Sequence, residues 1–85
     1  MKLKVELALE NGEYTKGQDV TDEVGDEVRP MSAKILRFGP NGWPICELKF
    51  ADRDHAWEWF KEFQGDDDPD FLIEQFDRAT TGAVV

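Results

Sequence analysis

Cysteine is scarce in this sequence. Among its 85 residues Cys46 is the only cysteine, which excludes a disulfide bond within the chain. It lies in an alternating apolar stretch, with no histidine or pair of basic residues beside it. We therefore expect a buried, unreactive thiol in a strand rather than a nucleophile.

Histidine is equally scarce, since His55 is the only one. The sequence has no His-x-x-x-His, Glu-x-x-His or cysteine pair to complete a metal site or to support a general base. Its seven glycines are scattered at turns and form no phosphate-binding loop. We expect no catalytic activity, no cofactor and no bound metal, and we interpret His55 as an ordinary surface residue.

Long hydrophobic runs are also missing. The chain opens directly into alternating polar and apolar residues, without the apolar segment and cleavage site of a secretory signal. No stretch is long and apolar enough for a membrane span. These features predict a cytoplasmic protein that does not contact a membrane.

Basic residues are few, ten against nineteen acidic ones, which gives a net charge of −9. The imbalance is concentrated in the last third of the chain. Residues 1–51 contain nine acids and seven bases, whereas residues 52–85 contain ten acids and three bases. Such an excess disfavours direct binding to nucleic acid, so any partner of this part is expected to be basic.

Alternating apolar residues mark the first strand. Leu3, Val5, Leu7 and Leu9 predict a strand over residues 2–10, which has one buried face. Asn11-Gly12 then favours a tight hairpin turn. One interpretation of the next segment is a short returning strand over residues 13–16.

Residues 19–29 carry a valine at every fourth position, which favours one or two helical turns. Asp19 or Thr21 would cap them. Gly25 and the β-branched side chains weaken this prediction, and Pro30 ends the segment.

The clearest supersecondary unit is a β-hairpin over residues 33–50. Its two apolar arms are joined by the turn sequence Gly-Pro-Asn-Gly at positions 39–42. Pro44 indicates either that pairing begins after it or that this strand lies on an edge of the sheet.

Two amphipathic helices come after the hairpin. The first helix is predicted over residues 53–64, with Asp52 as its N-cap and Gly65 as the residue that ends it. The second is predicted over residues 70–80, because Pro69 suits the first turn of a helix. One face of each helix is apolar: Ala56, Trp59, Phe60 and Phe63 in the first, and Leu72, Ile73, Phe76, Ala79 and Thr80 in the second.

Together these elements predict a single α+β domain over residues 1–85. An antiparallel sheet of three or four strands, made of the hairpin 33–50 and the N-terminal strand 2–10, would be covered by the two C-terminal helices. The other sheet face would stay open. If that face is apolar, it is the natural surface for a homodimer.

The acidic run near residue 70 resembles the spacing of a calcium loop. Five carboxylates occupy ligand positions of such a loop: Asp66, Asp68, Asp70, Glu74 and Asp77. However, Phe71 stands where the loop requires glycine, and Pro69 stiffens the same bend. We therefore interpret these acids as a solvated turn that caps the second helix.

Acidic residues also form two rows along the helices. Asp54, Glu58 and Glu62 recur about every 6 Å along the first helix, and the second helix carries Asp70, Glu74 and Asp77, with Asp66, Asp67 and Asp68 at the junction. One strand of a duplex has a phosphate about every 3.4 Å, so two adjacent outward rows would approach that charge density.

Trp57 and Phe71 are not explained by the apolar periodicity of either helix. Each of them either closes an edge of the core, Phe71 as a hydrophobic staple, or is an exposed anchor of an interface. Both lie beside the acidic rows.

The sequence therefore predicts a non-catalytic, acidic protein–protein interaction module that binds a basic surface. A narrower hypothesis is a nucleic-acid mimic that inhibits or regulates a basic nucleic-acid-binding enzyme. The alternative is a structural or assembly subunit, for example of a phage or another complex, that self-associates through its sheet. An acidic surface that serves only solubility would have the same composition. The predicted interface comprises Asp54, Trp57, Glu58, Glu62, Asp66, Asp67, Asp68, Asp70, Phe71, Glu74 and Asp77.

Overall fold

A computed structural model describes residues 1–9, 13–65, 68–82 and 84 of the chain. Three strands precede two helices, and the predicted α+β architecture is confirmed. The elements are β1 (Lys2–Glu6), β2 (Ser32–Phe38), β3 (Pro44–Lys49), α1 (Arg53–Gln64) and α2 (Pro69–Thr80). Within the described ranges, neither helix has the length and hydropathy needed to cross a membrane.

The sheet is antiparallel, with β3 in the centre and strand order β1-β3-β2. Leu48 lies opposite both Leu3 and Ala33, and Cys46 lies opposite both Val5 and Ile35. These six side chains point to one face because residues directly opposite each other share a face. That face meets the helices.

Pro44 is the first residue of β3, where a missing N–H costs no ladder hydrogen bond. Its carbonyl accepts a hydrogen bond from the Leu7 N–H at 3.0 Å, which extends the pairing beyond the end of β1. Both alternatives suggested for Pro44 are wrong, because β3 is paired on both sides and Pro44 itself lies opposite Phe38. Strand β1 is also shorter than the predicted span 2–10.

One cluster of buried side chains forms the core between the sheet and the helices. Phe60 of α1 is fully buried in this cluster, which also contains Leu3, Ile35 and Leu48 of the sheet. Cys46 is completely buried in β3, as predicted, and burial raises the pKa of its thiol to about 11.

The outer face of the sheet is mostly charged rather than apolar. It carries Lys2, Lys4, Lys34 and Lys49 together with Glu6 and Glu47. Lys2 and Glu47 form an ion pair at 3.7 Å. Over the paired strands, the exposed side chains of this face are therefore mainly charged.

The segment between β1 and β2 departs from the prediction. The predicted hairpin turn at Asn11-Gly12 lies outside the described residues. Residues 13–16 form no strand, but residues 17–20 pair with β2. The Gly17 N–H donates to the Ile35 carbonyl at 2.8 Å, and the Val20 N–H donates to the Ala33 carbonyl at 2.9 Å. The chain thus returns to the far edge of the sheet instead of to β1.

Residues 19–29 contain a single 3₁₀ turn, Thr21–Glu23, in place of the predicted one or two α-helical turns. The Thr21 hydroxyl donates to the Asp19 carboxylate at 2.6 Å and accepts from the Ala33 N–H at 3.0 Å. The hydroxyl and backbone N–H of Thr21 lower the pKa of Asp19. The turn ends at Val24, whose backbone is extended with φ −115° and ψ 119°, and Gly25 then has a φ of +87°, which is outside the helical region.

Candidate interaction surface

Local capping fixes both ends of α1. The Asp52 carboxylate accepts a hydrogen bond from the His55 N–H at 2.8 Å, and the Gly65 N–H donates to the Lys61 carbonyl at 3.0 Å. Gly65 is left-handed, with φ 58°. Both predicted boundary residues are confirmed.

His55, near the start of α1, forms hydrogen bonds with the backbone through both of its ring nitrogens. Its Nδ1 lies 3.2 Å from the Ala51 N–H and accepts from it, so Nε2 carries the proton and donates to the Arg29 carbonyl at 2.8 Å. The ring also packs edge-on against Phe50 at 5.1 Å. His55 therefore links the helix start to the loop before β2.

Helix α2 begins as the sequence predicts. The Asp68 carboxylate accepts from the N–H groups of Asp70 and Phe71 at 3.1 and 3.4 Å, and Pro69 occupies the first helical position. The acid in the first turn also suits the positive end of the helix dipole. Asp66 and Asp67 of the predicted interface lie outside the described residues.

The two helices form an antiparallel hairpin, since the start of α1 lies beside the end of α2. Arg53 and Asp77 form an ion pair at 2.7 Å, and the Arg53 guanidinium lies 4.9 Å from the centre of the Phe76 ring. The Phe76 ring in turn contacts Trp57 at 5.1 Å and Phe60 at 5.4 Å. Aromatic contacts thus hold the two acidic helices together.

All the described acidic residues of the predicted interface are exposed: Asp54, Glu58, Glu62, Asp68, Asp70, Glu74 and Asp77. Two of them have a cation nearby, because Asp77 pairs with Arg53 and Glu58 pairs with Lys61 at 3.0 Å. Among the described residues, no cation forms an ion pair with Asp54, Glu62, Asp70 or Glu74. These four carboxylates are therefore free to form ion pairs with cationic side chains of a partner.

The acidic row of α1 does not run straight alongside α2. A spacing of four residues advances about 40° round a helix at each step, so the row winds across the helix surface. Asp54 lines a groove between the two helices, whereas Glu62 lines a cavity with Leu9, Val24 and Gly25. The structure therefore separates two carboxylates that the sequence pattern placed in one row.

The groove beside Asp54, which we call the interhelical groove, has an apolar floor. It is lined by Arg53, Asp54, Trp57, Ile73 and Phe76 and has a volume of about 310 Å³. Ile73 is 49% exposed there, although its place in the helical pattern predicted a core residue. That prediction is wrong because Ile73 is one position beyond Leu72, about 100° round the helix, and Leu72 fills the core position.

Trp57 and Phe71 have different environments. Trp57 is half-buried, packs against the core and forms one wall of the interhelical groove. Phe71 is 42% exposed on α2. Trp57 therefore closes an edge of the core and also reaches the surface, whereas Phe71 is an exposed aromatic residue.

No group of three or more histidine, cysteine or carboxylate side chains in the described part of the chain is arranged to hold a metal ion. Asp68 caps α2 and Asp77 pairs with Arg53, so two carboxylates of the calcium-like spacing have structural contacts. The described acids are thus arranged as a surface rather than as a cation cage.

Comparison with protein-family models, with curated proteins and with solved structures finds no match to this chain. A function therefore has to be inferred from the residues of the interhelical groove and the charges around them.

Proposed function

We propose that this protein is a non-catalytic interaction module whose helices α1 and α2 bind a basic surface of another protein. The observation that carries the proposal is the interhelical groove. Its exposed apolar residue, Ile73, lies beside the half-buried Trp57. An apolar centre with a polar rim is the usual organisation of a protein interface.

The charges near the groove favour a basic partner. Asp54 lines the groove, and Glu74 comes directly after Ile73 along α2; neither carboxylate forms an ion pair with a described residue. Burying them against an apolar surface would leave them without a counter-charge, which is costly. Lysine or arginine side chains of a partner would provide that charge and would accelerate association at low salt.

A narrower form of the proposal is nucleic-acid mimicry, in which the acidic surface occupies the basic groove of a nucleic-acid-binding enzyme and inhibits it. The acids available for this are those on the exposed sides of the helix pair: Asp54, Glu58, Asp70, Glu74 and Asp77. Glu62 lies about 80° round α1 from Asp54 and lines a different cavity, so it is the member of the α1 row farthest from the interhelical groove. Mimicry predicts that the partner releases nucleic acid when this protein binds.

The test is a matched pair of charge reversals. Glu58→Lys/Glu74→Lys changes two exposed acids on the helices, and Glu13→Lys/Glu27→Lys makes the same change of net charge at two exposed acids elsewhere. Tagged wild type and both variants are used to capture partners from a host lysate at low and high salt. We expect a basic protein that wild type and the Glu13/Glu27 variant retain at low salt and that the Glu58/Glu74 variant loses.

Equal capture by the two variants would refute the helical surface as the interface. Capture that does not weaken as salt rises would refute the electrostatic part of the proposal, since exposed charges are screened within about 8 Å at physiological ionic strength. Addition of a nucleic-acid duplex to the captured complex tests the narrower form, because a mimic and the duplex compete for one groove.

Self-association through the sheet is the second candidate, and one observation favours it. Phe38 and Trp43 flank the turn between β2 and β3 and are 42% and 43% exposed. Two exposed aromatic residues at one end of the sheet would suit a contact between copies. A dimer that sediments equally at low and high salt and that Phe38→Ser/Trp43→Ser dissociates would support this candidate over the first.

A further inference from the structure

A second cavity lies on the side of α1 that is turned away from α2. It has a volume of about 310 Å³, at the lower end of the range for ligand sites. Its apolar lining comes from the end of the first strand segment, the loop around residue 24 and α1: Leu9, Val24, Trp59 and Phe63. We call it the lateral cavity.

Stacked aromatic rings form one wall of the lateral cavity. The rings of Trp59 and Phe63 are 4.8 Å apart at an angle of 13°. Trp59 is only 3% exposed. The ring of Trp59 is thus held in the core, and the ring of Phe63 packs on it.

The indole N–H of Trp59 has no hydrogen-bond acceptor among the described residues. The same part of the chain contains no fully buried side-chain nitrogen or oxygen without a partner. It follows that this N–H is not fully enclosed, and Gly25, which also lines the cavity, lies beside it. A donor that makes no hydrogen bond within the described residues and is not fully enclosed is available to an acceptor on a ligand.

Gly25 keeps the space next to the indole nitrogen open. A Cβ atom at this position would lie 3.1 Å from Trp59 Nε1 and would collide with the Val28 carbonyl oxygen. Its φ of +87° is also a conformation that residues with a side chain rarely adopt. Glycine at this position therefore preserves access to the N–H.

Three acidic residues line the cavity around these rings. Glu23 and Asp26 come from the loop, and Glu62 comes from α1. No cation among the described residues forms an ion pair with any of the three. The Arg29 Nε donates to the Asp26 backbone carbonyl at 3.4 Å, so one cation lies near this side of the cavity. The cavity thus combines an apolar wall, an N–H donor without a protein acceptor and acidic residues without an ion pair.

We propose that the lateral cavity binds one arginine or lysine side chain of a peptide segment in the basic partner. The alkyl stem packs on Trp59 and Phe63, as basic side chains do on apolar surface. The cationic end lies among Glu23, Asp26 and Glu62. A backbone carbonyl of the same peptide accepts the hydrogen bond from the Trp59 indole. This inference rests on the proposed function, because it names an anchor of the basic partner.

The test is an NMR titration that monitors the indole N–H signals of the full chain. The chain has three tryptophans, and the spectrum of Trp59→Phe assigns the Trp59 signal. The probes are N-acetyl-arginine N-methylamide, its lysine counterpart, n-butylguanidine without a carbonyl, and the uncharged norleucine counterpart. We expect the Trp59 signal to shift and reach saturation as the arginine or lysine amide is added. The norleucine amide should bind with an affinity at least threefold lower.

Two variants test the carboxylates without disturbing the core. Asp26→Asn/Glu62→Gln should weaken binding of the arginine amide about three- to tenfold, in line with two partly exposed ion pairs. Glu13→Gln/Glu27→Gln removes two negative charges at exposed acids that do not line the lateral cavity, and it should leave that binding unchanged. The same spectra report whether each variant is folded.

A Trp59 signal that no probe shifts would overturn the inference, and so would equal binding by the norleucine amide. If n-butylguanidine binds as tightly as the arginine amide, the peptide carbonyl is not the acceptor of the Trp59 hydrogen bond. The cavity would then be a site for small cations. None of these results refutes the helical interface, which the Glu58/Glu74 reversal tests separately.

Discussion

At the scale of single residues, Cys46 shows how burial changes the pKa of a side chain. It is fully buried in the central strand, and burial raises the pKa of its thiol to about 11. The thiolate is the reactive form, so only a very small fraction is nucleophilic at neutral pH. The structure thus makes Cys46 a packing residue.

We therefore predict that native Cys46 resists alkylation by iodoacetamide at pH 8 and reacts rapidly in denaturant. Raising the pH toward 11 should accelerate the native reaction, because the pKa is raised and the thiolate forms only as pH approaches it. Mass spectrometry of the alkylated chain measures both rates. Fast alkylation of folded protein at pH 8 would contradict the buried placement.

His55 is the second residue with a testable role. Its ring nitrogens bond to the backbone of Ala51 and of Arg29. His55→Phe keeps an aromatic ring against Phe50 but removes both hydrogen bonds. We expect a loss of about 1 to 3 kcal/mol in the free energy of unfolding, measured by urea denaturation. An unchanged stability would show that neither bond contributes.

At the scale of helices and strands, Leu72 and Ile73 give a matched pair. Leu72 is buried and the adjacent Ile73 is 49% exposed. Leu72→Ser should cost roughly 3 to 5 kcal/mol because it opens a cavity and buries a hydroxyl. Ile73→Ser should cost less than about 1 kcal/mol and should weaken partner binding instead. Thermal denaturation and the capture assay separate the two effects.

If Ile73→Ser lowers stability as much as Leu72→Ser, Ile73 belongs to the core and the interhelical groove loses its apolar centre. If Ile73→Ser is stable and binds the partner normally, the groove is not the interface.

The helices could be predicted because their signals are local. Asp52, Gly65 and Pro69 act within one helical turn of their own positions, so the sequence around them is sufficient. The hairpin 33–50 is local in the same sense, since its strands adjoin a single turn. Propensity and pattern therefore agree with the final structure in these segments.

Residues 13–32 could not be predicted in this way. Residues 17–20 pair with β2 and skip the adjacent β1, and nothing in their own sequence encodes that choice. Thr21 is fixed by the backbone of Ala33, twelve residues away. Pairing over such distances depends on how the whole sheet assembles, which overrides the weak helical pattern of the valines.

The sequence predicted only part of the candidate interaction surface, for the same reason. The exposure of Asp54, Glu58, Asp70 and Glu74 is explained by their place opposite the apolar stripes. By contrast, the lateral cavity joins Glu62 to Glu23 and Asp26, which are far away in the chain. Their approach depends on the loop around Gly25, whose path the sequence pattern does not specify.

At the scale of the whole molecule, charge is divided between two sides. The outer sheet face has lysines at positions 2, 4, 34 and 49, while α1 and α2 carry six exposed acids, at positions 54, 58, 62, 70, 74 and 77. A basic partner is attracted to the helical side and repelled from the lysines. The division orients the encounter even before any contact forms.

The lysines also protect the molecule from pairing through its free edge. β1 is an edge strand, and Lys2 and Lys4 project from it. Charged residues on an edge strand discourage the addition of another strand. This feature favours binding through the helices over growth of the sheet.

The most direct test of the helical interface is hydrogen–deuterium exchange of the chain, alone and bound to the partner captured at low salt. We predict slower exchange in α1 and α2 around Trp57 and Ile73, and unchanged exchange in β2, β3 and the turn that joins them. Protection confined to that turn, beside Phe38 and Trp43, would contradict the proposed interface and would support assembly through the sheet.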